Sequence, residues 1–287
     1  MRTFLGCNAD FESASIVLFG APFDSTTSYR PGARFAPDAM RSNSFGFETY
    51  SPRQGADLLD CSVQDGDDLE LCFGDTAGAL ADIEAYAAGI LGAGKLPFLI
   101  GGEHLVSLGA IRAAAKRHPD LHILHFDAHA DLREEYLGAA LSHAAVMRRA
   151  WELLGDGRIH QFGIRSGTRE EFEWAGAHVD MSPFDLSGLD ETLENLRDCP
   201  VYLTVDLDVL DPSVFPGTGT PEPGGVGYLE LERALLRACK LNIVGADMVE
   251  LSPVYDQSGA STAVACKLLR ELLIALSAGR AKPADHR

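Results

Sequence analysis

Apolar and polar positions alternate along the chain in blocks that predict strands and helices in turn. Short apolar runs predict strands, and longer stretches with apolar residues at helical spacing predict helices between them. The predicted strands are residues 16–22, 97–101, 121–126, 159–164, 201–205 and 242–251. The predicted helices are residues 75–93, 105–116, 143–154, 228–238 and 261–278. This alternation predicts an α/β fold of three layers, with a parallel sheet between helices on both faces.

No linker, internal repeat or low-complexity block divides the sequence, so residues 1–287 are expected to form a single catalytic domain. Residues 280–287 carry little that could pack, and we expect a flexible tail there. The first residues contain no long apolar stretch typical of a signal peptide, and no run reaches transmembrane length. The sequence therefore predicts a cytoplasmic protein without a membrane contact.

Charge and cysteine content exclude several classes of function. The formal net charge of −18 argues against nucleic-acid binding, because no basic stripe is present to neutralise phosphates. Six cysteines are scattered without a Cys-x-x-Cys pair, which favours neither a zinc ribbon nor a disulfide framework. A hydrophobic content of 46% is ordinary for a globular protein.

Polar side chains follow three of the predicted strands directly. Asp127, His129 and Asp131 follow the strand at 121–126, and Asp206 and Asp208 follow the strand at 201–205. In extended backbone, residues two apart point to the same side, so each set is expected to share one face. Four buried carboxylates in one place are costly unless cations pair with them. The spacing therefore predicts a site for divalent metal ions.

A single Asp-x-Asp at a strand end is more often a turn or a helix cap than a metal site. His104, which follows the strand at 97–101, adds an imidazole at the same kind of position. Because ligands in open α/β sheets bind beyond the carboxyl ends of the strands, the three segments are expected to meet in one crevice. Oxygen ligands with a minority of imidazole favour Mn²⁺.

The sequence resembles the ureohydrolase (arginase-like) superfamily, and within it the agmatinases. The resemblance covers residues from about 23 to about 271, and its segments occur in family order. They are Gly-Gly-Glu-His at 101–104, His-Phe-Asp-Ala-His-Ala-Asp at 125–131, Ser-His at 142–143, and residues 204–212, 216–225 and 245–253. The resemblance implies an arginase-like fold and two Mn²⁺ per subunit.

The resemblance also implies a ligand set and a reaction. One Mn²⁺ would be held by His104, Asp127, Asp131 and Asp206. The other would be held by Asp127, His129, Asp206 and Asp208. A hydroxide bridging the two ions would attack the guanidinium carbon, and the tetrahedral intermediate would collapse to urea and an amine.

Three residues are predicted to take part in catalysis. By resemblance, Asp131 would orient the hydroxide, His143 would shuttle a proton and Glu250 would pair with the guanidinium. The residues themselves leave alternatives open: Ser142 reads as an N-cap that would make His143 a helix-start residue, and Glu250 could be a structural ion-pair partner. His125 is expected to pack below the site without binding metal.

Agmatine, which would give putrescine and urea, is the predicted substrate. Arg133 stands where arginases carry an Asn for the α-carboxylate, and Glu134 and Glu135 make the same loop acidic. Such a loop fits a second cationic end of a small guanidino substrate. If the two glutamates face solvent, chain length and pocket shape decide instead. Aminopropylagmatine, guanidinobutyrate and arginine stay open as alternatives, the second because Arg133 could pair with a carboxylate.

Some positions depart from the family pattern, and other classes of protein remain to be weighed. Glu103 replaces the usual Asp, Ala130 the usual Thr and Ala144 a frequent Gly, which affects only the fine shape of the pocket. A metal-dependent deacetylase would typically use one zinc and fewer of these ligands. A non-catalytic guanidine-binding relative would have lost His143 or a ligand. By resemblance we also expect a homo-oligomer, a trimer or a hexamer.

Overall fold

The structure is a computed structural model that describes residues 2–72 and 74–280. Its strands are β1 (Ile16–Ala21), β2 (Tyr50–Ser51), β3 (Ala56–Asp57), β4 (Val63–Asp68), β5 (Leu96–Gly101), β6 (His122–Phe126), β7 (Ile159–Ile164), β8 (Asp180–Pro183), β9 (Pro200–Asp206) and β10 (Asn242–Val249). Its helices are α1 (Ala36–Ser44), α2 (Thr76–Gly92), α3 (Ser107–Arg117), α4 (Val146–Leu154), α5 (Arg169–His178), α6 (Leu189–Asn195), α7 (Tyr228–Ala238) and α8 (Ala260–Ala278).

Eight of the strands form one parallel sheet in the order β4-β1-β5-β10-β9-β6-β7-β8. β2 and β3 form a separate antiparallel pair. Every residue of β1, β5, β7 and β9 is buried. β1 and β5 accordingly appear in the sequence as continuous apolar runs, whereas β7 also buries His160 and Gln161. The predicted parallel sheet is confirmed.

Helices cover both faces of the sheet. On one face, α1, α7 and α8 pack with side chains such as Met40, Leu235 and Leu269 against Phe98 and Phe126. On the other face, α2, α3 and α4 pack with side chains such as Ile83, Ile111 and Met147 against Leu99 and Ile123. Alternate residues of one strand therefore enter opposite cores. The predicted three-layer α/β architecture is confirmed.

The predicted elements agree with the structure wherever the segment is apolar. β7 and α7 occupy the predicted residues, and the other predicted strands differ by up to two residues at their ends. The prediction missed the helices α1, α5 and α6 and the short pair of β2 and β3. It also missed β4 and β8, which lie at the two edges of the sheet. β4 reads Val-Gln-Asp-Gly-Asp-Asp and is only partly buried, so it carries no apolar run from which a strand could be recognised.

Three further sequence-based expectations concern membrane spans, disulfides and the C-terminal tail. Within residues 2–72 and 74–280, helices of the length and apolarity needed to cross a bilayer do not occur. All six cysteines are free thiols, as their spacing predicts. Of the predicted tail, Arg280 donates to the carbonyl of Ile243 over 2.8 Å, and residues 281–287 lie outside the described part of the chain.

Candidate metal centre and active site

The predicted site residues come from four neighbouring strands of the sheet. β5, β10, β9 and β6 are adjacent in that order, and all four end at the same edge because the sheet is parallel. His104 follows β5, Glu250 follows β10, Asp206 ends β9 and Asp127 follows β6. The fold thus places the sequence-predicted residues in one crevice at the carboxyl edge.

Three carboxylates surround one nitrogen of His104. Its Nδ1 atom lies 3.0 Å from Asp127 Oδ2, 3.0 Å from Asp131 Oδ2 and 3.5 Å from Asp206 Oδ2. His104 and Asp127 are fully or almost fully buried. These four residues form the first group of donor atoms, and they are the set that the resemblance implies for one ion.

A second group shares Asp127 with the first. His129 Nδ1 lies 3.0 Å from Asp208 Oδ2 and 3.5 Å from Asp127 Oδ1. The two oxygens of Asp127 therefore face different histidines, which places Asp127 between the groups. Asp206 faces His104 with Oδ2, while its Oδ1 accepts the backbone N–H of Asp208 at 2.9 Å.

The hydrogen bonds of His104 indicate that the first group of donor atoms binds a cation. Thr204 donates its only hydroxyl hydrogen to Asp247 over 2.6 Å, so it accepts from Nε2–H of His104 at 3.0 Å. In a neutral ring the Nδ1 lone pair faces carboxylate oxygens. Burial lowers the pKa of His104, but the hydrogen bonds and charges of Asp127 and Asp131 outweigh burial and raise this pKa well above its usual value. Nδ1 therefore lies where a proton or a metal cation is required. Ligand atoms about 2.1 Å from an octahedral divalent ion lie about 3.0 Å apart, as here.

The site also holds more negative charge than its own groups can stabilise. Burial, followed by the neighbouring carboxylates, raises the pKa of Asp206 and of Glu250 well above the usual range. Burial and the adjacent Asp127 likewise raise the pKa of Asp131 to about 7. Buried carboxylates that repel one another in this way are typical of a place where cations bind. The donor set fits a pair of divalent cations.

His125 contacts the cluster as a hydrogen-bond donor. The Gln161 amide nitrogen donates to the carbonyl of Ala130 over 2.8 Å and lies 3.0 Å from His125 Nδ1. Nδ1 therefore accepts, and His125 Nε2–H donates to Asp127 Oδ2 over 2.8 Å. The nitrogen nearest the cluster thus donates to Asp127, although His104, His125 and Asp127 lie close enough together to hold an ion. That His125 does not bind metal stays a prediction.

A cavity of about 190 Å³ opens directly above the two groups. Glu250 lies in its wall, and its Oε1 accepts the backbone N–H of His104 over 2.8 Å. His143 lies in another part of the wall. All three predicted catalytic residues, Asp131, His143 and Glu250, therefore line the same cavity as the predicted ligands His104, His129 and Asp206.

His143 occupies the first turn of a 3₁₀-helix (His143–Ala145) that leads into α4. Ser142 is the N-cap and accepts from Ala144 N–H at 3.4 Å. The helix-start interpretation and the active-site interpretation of His143 are thus both compatible with its position. Burial is the main cause that lowers the pKa of His143 to about 4, so the ring is neutral near pH 7.

The loop after Asp131 differs from the expectation that its acidic residues face a substrate. Glu134 and Glu135 are exposed and lie outside the cavity. Arg133 and Glu171 line the cavity instead, with 3.5 Å between Arg133 Nε and Glu171 Oε2. The Arg133 guanidinium also stacks over Tyr136, 4.3 Å from the ring centre. The cavity mouth therefore carries one cation and one buried carboxylate.

The residues that depart from the family pattern lie at the cavity. Ala130 and Ala144 line it, and Glu103 is fully buried.

The sequence analysis missed three residues that contact the predicted ones. Thr26 and Ser28 contact His143, and Thr204 contacts His104. Thr26 and Ser28 lie in the loop after β1, the strand next to β5. A polar loop following an apolar strand was the signal that could have revealed them.

Comparisons with known proteins agree with the fold and with the order of the motifs. The family model of the arginase family matches residues 14–275. The agmatinase of Bacillus subtilis strain 168 is 46% identical over 279 residues, covering 95% of this chain and 96% of that protein. A crystal structure from Clostridium difficile, provisionally assigned as an agmatinase, has a TM-score of 0.93 at 48% identity, covering 95% of this chain and 100% of its own.

A third comparison is more distant. The agmatine ureohydrolase of Thermoplasma volcanium has a TM-score of 0.88 at 38% identity, with 96% of this chain and 94% of that chain covered. The similarity extends over nearly the whole described sheet, and it confirms the resemblance that the sequence motifs indicate. The chain belongs to the arginase family of ureohydrolase enzymes.

Proposed function

We propose that the chain hydrolyses the guanidino group of agmatine to putrescine and urea with two Mn²⁺ per subunit. The observation that carries the proposal is the shared Asp127, whose two oxygens face His104 and His129 in adjacent groups of donors. The similarity to agmatinases supports the choice of substrate.

The residues that would hold the ions are those of the two groups. His104, Asp127, Asp131 and Asp206 would hold one, and Asp127, His129, Asp206 and Asp208 the other. Two divalent ions lower the pKa of a shared water and so supply a nucleophile at neutral pH. Four aspartates offset the charge of two such ions, and oxygen with imidazole donors suits manganese.

The remaining steps are assigned to side chains of the cavity. Glu250 lies buried in the wall, where it pairs with the guanidinium of the substrate. Asp131, at the floor of the cavity, orients the attacking oxygen and accepts its proton. His143, neutral near pH 7, takes up a proton and delivers it to the amine that departs.

A related guanidino acid is the second candidate substrate, because Arg133 lines the cavity and could pair with a carboxylate. Glu171 already offsets the charge of Arg133, which favours agmatine. The distinguishing experiment is urea release with added Mn²⁺ from agmatine, arginine, guanidinobutyrate and aminopropylagmatine. We expect kcat/KM for agmatine to exceed that for arginine by at least about 10²-fold, since an unpaired buried charge costs several kcal/mol.

The assay also separates the other classes of protein. A guanidine-binding relative without catalysis would release no urea from any of the four compounds, and a deacetylase would release acetate from an acetylated amine instead. Comparable efficiency on arginine would overturn the choice of agmatine. The cytoplasmic location and the trimeric or hexameric assembly stay predictions, the second of which light scattering on the purified protein would test.

A further inference from the structure

Thr26 lies between a buried carboxylate and the imidazole of His143. Its backbone N–H donates to Glu103 Oε2 over 2.9 Å, and its hydroxyl donates to Glu103 Oε1. The same hydroxyl oxygen accepts the backbone N–H of His143 at 3.0 Å and lies 3.3 Å from His143 Nδ1. Three elements thus meet at one side chain: the loop after β1, the loop after β5 and the turn that begins at His143.

The number of hydrogens on Thr26 determines the tautomer of His143. A threonine hydroxyl donates one hydrogen and accepts with its remaining lone pairs. That hydrogen is directed at Glu103, so Thr26 accepts from His143 and the neutral ring carries its proton on Nδ1. Nε2 is then the nitrogen with the free lone pair, and it lies 3.4 Å from Ser28 Oγ in the wall of the cavity.

Glu103 has surroundings that suit this role. It is fully buried, and besides the two groups of Thr26 the hydroxyl of Thr27 donates to it over 3.1 Å. Among the described residues, Glu103 forms no ion pair with a lysine, an arginine or a histidine. Its carboxylate is therefore held by the hydroxyl and amide donors of Thr26 and Thr27. Because the backbone N–H and the hydroxyl of Thr26 both donate to Glu103, the hydroxyl hydrogen of Thr26 points at this carboxylate.

We propose that Thr26, held by Glu103, is a positioning residue that fixes the Nδ1–H tautomer and the ring orientation of His143. The proposal rests on the proposed function. An N–H bond forms at Nε2 when the ring takes up the proton that Asp131 accepted from the attacking water and releases, and it breaks when the departing amine nitrogen takes that proton. Nδ1 keeps its hydrogen throughout and donates it to Thr26. A carboxylate that orients a catalytic histidine is a recurring device, and a wrong tautomer costs most of the rate.

The kinetic test uses Thr26→Val, which removes the hydroxyl and keeps the backbone donor and the approximate volume. We expect kcat on agmatine to fall at least about 10-fold, a part of the about 10²–10⁴-fold that general acid–base catalysis contributes. KM, bound manganese and the melting temperature should stay near wild type. Thr26→Ser should restore most of kcat because it restores the hydroxyl. The matched variant Thr27→Val also removes a donor to Glu103 but none to His143, and it should lose less.

A double mutant separates positioning from a general structural effect. If Thr26 acts through His143, then Thr26→Val combined with His143→Ala should have the kcat of His143→Ala alone. Losses that multiply in the double mutant would overturn the proposal, as would a loss of manganese in Thr26→Val.

A spectroscopic measurement is independent of turnover. The ¹⁵N shifts of the His143 ring, assigned with His143→Ala in protein loaded with diamagnetic Mg²⁺, should report the Nδ1–H tautomer in wild type and a mixture in Thr26→Val. The Nε2–H tautomer in wild type would overturn the inference even in an active enzyme. Absence of urea release with the expected tautomer present would count against the proposed function alone.

Discussion

Asp131 and Glu250, two of the cavity carboxylates, both have left-handed backbone, with φ of 54° and 65°. Non-glycine residues in this region cost of order 1–3 kcal/mol each and persist where their surroundings hold them. The carbonyl of Asp131 accepts Met147 N–H at 3.0 Å, and Glu250 N–H donates to Gly102 over 3.0 Å. The start of α4 and the loop after β5 thus stabilise the two conformations that direct carboxylates into the cavity.

Replacing a ligand that belongs to one group should empty only that part of the site. Asp208→Ala removes the partner of His129, so we predict manganese content to fall from about two to about one per subunit, with a large loss of kcat. Elemental analysis and urea release on the same sample measure both. Asp198→Ala, an exposed aspartate, is the matched control. Equal manganese content and activity in Asp208→Ala and wild type would contradict two ions.

Replacing His143 should separate proton transfer from metal binding. In His143→Ala we predict normal manganese content and a kcat lower by on the order of 10²–10⁴-fold, the usual contribution of a general acid or base. A loss of manganese in this variant would mean that His143 is a ligand rather than a proton carrier. The measurement pairs elemental analysis with steady-state kinetics on agmatine.

Removing the metal should lower the thermal stability. The buried carboxylates of Asp127, Asp131 and Asp206 then lie close together without the metal ions that offset their charge. An ion that binds only the native state at 100 times its Kd stabilises that state by about 2.7 kcal/mol. We predict a lower Tm after dialysis against EDTA and recovery when Mn²⁺ is added back. An unchanged Tm would mean that the buried carboxylates are neutralised in another way.

Arg133 is predicted to affect which substrate is preferred. Arg133→Met keeps the contact with Tyr136 and removes the positive charge from the cavity mouth. We predict kcat/KM for agmatine relative to guanidinobutyrate to rise about 5-fold, the effect of about 1 kcal/mol for a partly exposed charge. Arg149→Met, whose guanidinium contacts the Glu134 carbonyl outside the cavity, should leave the ratio unchanged. A lower ratio in Arg133→Met would contradict the sign of this electrostatic effect.

His122 should make the protein less stable in acid. Burial, followed by the charges of His160 and Arg158, lowers the pKa of His122 to about 4. The unfolded chain binds a proton at this residue near pH 6.5 and the folded chain does not, so stability is lost as the pH falls from about 6.5 to about 4. His122→Gln should therefore lose less stability than wild type between pH 7 and pH 4.5. Urea unfolding at both pH values measures the difference, and equal losses would contradict it.

Apolar runs were sufficient to predict the central strands, because strands buried on both faces are mostly apolar, although β7 also buries His160 and Gln161. The motifs likewise indicated His104, Asp127 and Asp206 as residues of one crevice, since the carboxyl ends of parallel strands meet at one edge. The edge strands β4 and β8 were not predictable, because a strand that is half exposed has no distinctive apolar pattern.

The sequence by itself determined the fold class, the family and the edge of the sheet at which the polar residues gather. The sequence analysis attributed the convergence of Asp127, His129 and Asp131 to the alternation of side chains along a strand. That reason is wrong, because β6 ends at Phe126 and Asp131 has a left-handed backbone conformation. Only the tertiary structure decided that these residues meet through a loop, that Glu134 and Glu135 face solvent, and that Thr26 contacts His143. The contact between Thr26 and His143 joins positions 117 residues apart, and local periodicity carries no information about such a contact.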